Sequence, residues 1–144
     1  MSLYNILQPN QYQAFYLNNQ VNSAVAISGT STLNKNDSGC VISLSNAGSA
    51  YSITLPAVSG AAGLQFNFCL ASAPNSAITI AAGSACIYGA DQSVTSGFQS
   101  AISSHSNIIL GTTCVRGTQV RLWCDGTTYF CQAISLVSGS ISYS

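Results

Sequence analysis

The chain predicts an all-β domain, an antiparallel β-sandwich of jelly-roll type, on two observations. Large apolar residues recur with a period of two in short runs, whereas helical spacing would scatter them. Those runs are separated by clusters of Gly, Ser, Asn and Asp, at intervals of about 8 to 15 residues, which is the rhythm of a sandwich or related β-architecture.

The clearest strand is Leu64, Phe66, Phe68 and Leu70 alternating with Gln65, Asn67 and Cys69. Successive side chains of a strand point oppositely, so the four large groups share one face. The same alternation marks Cys40, Ile42 and Leu44, then Tyr51, Ile53 and Leu55, and later Ile78 and Ile80 around Thr79. Further strands are expected at Ala24 to Ile27, Ala85 to Tyr88, Asn107 to Leu110, Gly117 to Cys124 and Thr127 to Leu136. Asn34 to Gly39, Ser45 to Ser49, Ser59 to Gly63 and Ser72 to Ser76 supply the bent or left-handed backbone of strand reversals. The segment Val137 to Ser144 reads as a frayed end or a last edge strand.

Asp125-Gly126 between alternating runs fits a two-residue hairpin turn of the I′ type, in which both central residues take positive φ. Counting outward, Cys124 faces Thr127, Leu122 faces Tyr129 and Val120 faces Cys131. Arg121, Trp123, Thr128 and Phe130 fall on the other side. A Cys124–Cys131 bridge is not expected in that register.

Residues 1–20 read differently. Tyr4, Tyr12, Phe15 and Tyr16 sit among Gln and Asn with neither period sustained, which predicts an arm that orders against a neighbouring subunit, or else an edge segment. One domain, 21–144, carries the core, since a chain of this length hides roughly 70% of its unfolded surface in a single one.

The 144 residues hold only three Lys or Arg, three Asp and one His, for a net charge of zero. A free monomer usually keeps about a quarter to a third of its surface charged. Solubility must therefore rest on Ser, Thr, Asn and Gln, or copies and partners must cover the surface. With no cationic cluster, neither nucleic acid nor an anionic membrane surface is an expected partner. No apolar run approaches the roughly 18 residues of a membrane span, and Met1 to Asn10 lacks the pattern of a secretory signal. The six cysteines leave their pairing open, and buried thiols are the favoured reading in the absence of that signal.

Catalysis, metal and cofactor binding are not expected. His105 lies in the stretch Ser103-Ser104-His105-Ser106 and reads as an exposed loop residue, with no G-x-S-x-G elbow anywhere. There is no Glu, Asp125 and Asp37 belong to turns, and Asp91 has no obvious partner, so paired-carboxylate chemistry is missing its second member. Cys114, Cys124, Cys131 and His105 lack the closely spaced ligand pairs of structural zinc. Asn36-Asp37-Ser38 matches a glycosylation sequon, which matters only in a secretory compartment. Trp123 and Tyr129 near the turn are candidates for a stacking platform or an interface, with Arg121 beside Trp123.

The order of motifs from Tyr51 to Ile134 resembles a module of viral and phage fibre, spike and decoration proteins. Its parts here are Ser52 to Pro56, the aromatic strand Gly63 to Leu70, Ile78 to Ile80, the turn Ile87 to Gly89, and the strand, Asp-Gly turn and aromatic strand from Val120 to Cys131. The resemblance implies a compact β-module, often trimeric, on or in a virion. The cysteine number departs from phage fibres, and the absence of a repetitive shaft favours a spike head, decoration or minor capsid component. The expected function is thus a non-enzymatic virion structural protein, assembled in the host cytoplasm, whose partners are its own copies, other capsid proteins and, in an alternative reading, a host glycan. A small secreted hydrolase using His105 is the reading from another class.

Overall fold

A computed structural model describes residues 24–45, 48–97 and 99–144. Tyr4, Tyr12, Phe15, Tyr16 and the rest of the 1–20 arm lie outside the described residues. Two sheets pack face to face around one core. Their strands are β1 (Val25–Ile27), β2 (Ser31–Thr32), β3 (Val41–Leu44), β4 (Tyr51–Thr54), β5 (Gln65–Leu70), β6 (Ile78–Ala81), β7 (Ile87–Ser93), β8 (Gln99–His105), β9 (Asn107–Leu110), β10 (Gln119–Cys124), β11 (Tyr129–Ser135) and β12 (Ile141–Tyr143). The larger sheet runs β1-β3-β5-β10-β11-β7-β8 and the smaller β12-β9-β6-β4-β2.

The all-β, two-sheet prediction matches this architecture, but the sheets are mixed rather than antiparallel. β1, β3 and β5 run parallel in one sheet, β2, β4 and β6 run parallel in the other, and β7 is parallel to β11. The cause lies in the connections. After each of its first six strands the chain crosses to the opposite sheet, so it re-enters a sheet in its original direction. The turn-forming stretches are therefore corners between sheets, not hairpins within one. A 3-10 turn at Lys35–Asp37 carries the chain from β2 to β3, and another at Val58–Gly60 from β4 to β5. In the first, Asn34 Oδ1 accepts from the Asn36 amide at 2.9 Å while Asp37 Oδ2 accepts from the Asn34 amide at 2.8 Å. Such reciprocal caps satisfy amides that the short turn itself leaves unbonded.

Period-two alternation sets the core. Ile42, Leu44, Phe66, Phe68, Leu70, Val120 and Leu122 of the larger sheet meet Ile53, Ile78, Ile80, Ile108 and Leu110 of the smaller, all essentially without solvent contact. Each such side chain contributes about 1.5–3 kcal/mol on burial. Cys40, Cys86, Cys114, Cys124 and Cys131 are buried among them, and all six thiols are unbridged. Cys131 is pushed up to about 12 by that burial, so it stays a neutral small hydrophobe at physiological pH.

Two local expectations are corrected. The β10–β11 turn is shifted by one residue: Asp125 N donates to Thr128 O at 3.2 Å, leaving Gly126 and Thr127 as the central pair. Cys124 then opposes Tyr129 and Leu122 opposes Cys131. The partner shift is two residues, so every side chain keeps its predicted face. Asp125 decides the turn, because its Oδ1 accepts from Thr127 N, Thr127 Oγ1 and Thr128 N, each at 2.8 Å. Those bonds favour the carboxylate and lower its pKa. Second, His105 ends strand β8 instead of lying in a loop; it is half-buried, its ring centroid 5.8 Å from that of Tyr143. Of the two readings of the C-terminal segment, the last edge strand holds: it forms β12, tied down by Ser106 N and Asn107 N donating to Ser144 O at 2.7 and 2.9 Å. Among the described residues no helix is long and apolar enough to cross a membrane.

The tightest backbone approach is at Gly89 on β7, beside an irregularity in the β7–β8 pairing. Its φ is +156°, and a Cβ there would stand 1.8 Å from the Cys131 carbonyl oxygen. Gly89→Ala is expected to destabilise the fold by more than about 3 kcal/mol, because backbone must move. Chemical denaturation of this variant beside Gly60→Ala, where a Cβ meets nothing within 4 Å, measures it; equal midpoints for the two would show that the close approach is absent.

Candidate binding face

The inward residues of the larger sheet being fixed, the intervening ones form its outer face, and the register lines them up in rows. One row runs Gln65 on β5, Trp123 on β10, Phe130 on β11 and Tyr88 on β7. The next runs Val41, Asn67, Arg121, Gln132 and Ala90. A third runs Ser43, Cys69, Gln119, Ile134 and Gln92. Neighbouring strands lie about 4.8 Å apart, so the first row is a continuous aromatic strip with a row of amides and one guanidinium alongside it.

Trp123 is 44% exposed, Tyr88 39% and Val41 48%, an unusual share of open apolar surface for one sheet face. The Trp123 and Phe130 rings stack with centroids 6.1 Å apart and planes 25° from parallel, the offset geometry that aromatic pairs favour. Gln65, Asn67, Arg121, Leu122, Trp123 and Gln132 line a shallow groove of about 330 Å³. Val41, Asn67, Phe68, Cys69, Gln119 and Arg121 line a second of about 430 Å³. Arg121 and Asn67 therefore form the wall common to both. Among the described residues Arg121 has no ion-pair partner.

The sequence candidates divide here. Trp123 and Arg121 stand on the outer face as their alternation required. Tyr129 belongs to neither platform nor interface: it is fully buried, its hydroxyl donating to Pro56 O at 2.7 Å, and burial raises its pKa. Asp125 and Gly126 hold the turn beyond the aromatic row. Tyr88 was not foreseen, because only the parallel pairing of β7 with β11 brings it beside Phe130, and nothing in the local sequence of either strand signals that pairing.

A different polar group lies inside the sandwich, at the end closed by β12. Asp91 Oδ1, Tyr143 Oη, Thr118 Oγ1 and Ser140 Oγ are all buried without a hydrogen-bond partner. Cys114 is beside them, its thiol donating to Ser140 O at 3.2 Å. Desolvation raises the pKa of Asp91, and the neighbouring Tyr143 hydroxyl, which stops short of a full hydrogen bond, lowers it only in part. Desolvation also raises Tyr143 and Cys114, so burial disfavours the charged form of each of these groups. No three His, Cys, Asp or Glu side chains converge as metal ligands among the described residues.

A buried carboxyl with a raised pKa holds its proton longer in the folded chain than in the unfolded one. Its contribution to stability is therefore greatest at low pH and declines as pH rises from the ordinary value of 3.8 through the folded value. Asp91→Asn should remove that slope, so that its thermal midpoint relative to the parent rises between about pH 4 and pH 7. A difference that stays constant, or falls, across that range would show that the fold does not raise the Asp91 pKa.

No family model, curated protein or solved structure matches the chain.

Proposed function

We propose that the chain is a non-enzymatic structural component of a virion, a spike-head, decoration or minor capsid module that assembles into a closed homo-oligomer, expected to be a trimer. The observation that carries this reading is strand β8. It is an edge strand of seven residues, Gln99–His105, with the sequence QSAISSH and no Lys, Arg, Asp or Glu. The other three edges, β1, β2 and β12, have three, two and three residues. Soluble proteins blunt long edges with charge, proline or bulges, because open main-chain donors and acceptors recruit another strand. β8 has one such device, the irregularity against β7 near its C-terminal end, where Ser104 takes φ +59°. Its uncharged stretch Gln99–Ile102 pairs regularly with β7 and has no partner strand on its outer side among the described residues, which fits pairing with a copy that symmetric closure would then complete.

Two of the three aspartates support the non-enzymatic part. Asp37 caps one turn, Asp125 holds another, and Asp91 is enclosed beside Tyr143. Asp37 and Asp125 thus have structural roles, which leaves a hydrolase built on His105 with Asp91 as its one further carboxylate. A second reading, a glycan-binding head, is favoured by the aromatic row on the outer face.

Native mass spectrometry of the full chain at micromolar concentration tests the assembly. A closed oligomer is expected for the parent, and monomer for the Ala101→Lys/Ser103→Lys double variant, whose substitutions place charge at exposed β8 positions and should leave far-UV circular dichroism unchanged. A monomeric parent, or a variant that assembles as the parent does, would defeat the proposal.

A further inference from the structure

The outer face of the larger sheet carries a more specific assignment, which rests on the glycan-binding reading of that face. We propose that it binds an acidic saccharide, with the sugar ring stacked on Trp123 and Phe130 and its carboxylate held by the Arg121 guanidinium.

Three features of the face select this ligand. The first is the aromatic row: an exposed indole paired with Phe130, with Tyr88 next in register, offers apolar rings on which the C–H face of a pyranose can stack. The second is the amide row. Gln65, Asn67 and Gln132 line the groove beside Trp123, and each carboxamide presents a donor pair and an acceptor together. Sugar hydroxyls also donate and accept, so vicinal hydroxyls can meet a carboxamide edge to edge. The third is Arg121, the only charged residue lining either groove. A guanidinium binds carboxylate through two parallel N–H···O bonds, and this one has no ion-pair partner among the described residues.

Other ligand classes fit less well. A nucleic acid would need several cations along its backbone, and these grooves hold one. An extended peptide docks by main-chain pairing at a sheet edge, whereas this is a face, with its backbone already bonded to neighbouring strands. A neutral saccharide would use the aromatic strip and the amides but leave Arg121 unused.

The site also contains its own reporter. Cys69 lines the groove that shares Arg121 and is the one cysteine that is not buried. A ligand seated across Arg121 should therefore slow its alkylation.

Isothermal titration of the full chain with sialyllactose, a hyaluronan tetrasaccharide and lactose separates the possibilities. The first two carry their carboxylate on a sialic and a uronic acid, and lactose has none. At least one acidic probe is expected to bind about tenfold or more tightly than lactose, the scale of a charge-assisted bidentate contact, and to slow iodoacetamide labelling of Cys69. Arg121→Gln should abolish the acidic preference while leaving lactose binding unchanged, and Trp123→Ala should weaken all binding. Both side chains are exposed, and an unchanged unfolding midpoint shows that the variants fold. Equal affinity for lactose and the acidic probes, or an Arg121→Gln variant that keeps the preference, overturns the acidic assignment while sparing the platform. Absence of binding by all three saccharides overturns both. Native mass of the same samples reports assembly independently, so failure at this face is distinguished from failure at β8.

Discussion

The alternation of side chains along β5, β10, β11 and β7 is the constraint on which the rest of the molecule depends. Phe66, Phe68, Val120, Leu122, Tyr129 and Cys131 point inward, where with Ile42, Leu44 and Leu70 they share one core with Ile78, Ile80 and Leu110. Once they do, Gln65, Trp123, Phe130 and Tyr88 have no choice but to share the outer face. A slip of one residue would exchange the two sets and expose the core. The candidate site is thus a by-product of core packing as much as of its own residues, and its rigidity is that of the central strands.

Neutrality is managed by placement. The few ionic groups are not spread as a repelling coat: two aspartates hold turns, the third is enclosed beside Tyr143, and Arg121 stands alone in the middle of an amide field. Asn and Gln give that field hydrogen-bonding capacity in water without charge. The same economy leaves β8 without the charged residues that ordinarily guard an edge, which joins the two proposals: one uncharged surface feature invites a copy, another a ligand. The unpartnered atoms of Asp91, Tyr143, Thr118 and Ser140 lie apart from both, inside the sandwich.

Period-two patterning made the strands and their faces legible, because it is a local property. Phe66 and Phe68 inward, Trp123 and Arg121 outward, and the hairpin at Asp125-Gly126 could all be read by counting. Pairing could not. Whether a turn such as Asn34 to Gly39 reverses a strand within a sheet or crosses to the other depends on where the next apolar face finds cover, and both outcomes use the same residues. The missed strands show the same limit: in β8, Ile102 is the single buried side chain from Ser100 to His105, too weak a period to register, and β2 has two residues. The turn shift at Asp125 arises from a side chain that bonds three donors at once, a competition that Asp-Gly alone does not reveal. Tyr129 illustrates the cost of reading proximity in sequence as proximity in a site, since it lies next to the turn and points away from Trp123.

The register of the four central strands is measured most directly by interstrand proton contacts in solution NMR. The account predicts Leu122 opposite Cys131 across β10 and β11, and a parallel pairing that sets Cys131 beside Gly89 and Phe130 beside Tyr88. Contacts placing Val120 opposite Cys131, or an antiparallel β7 against β11, would take Tyr88 out of the aromatic row and contradict the face on which the account rests.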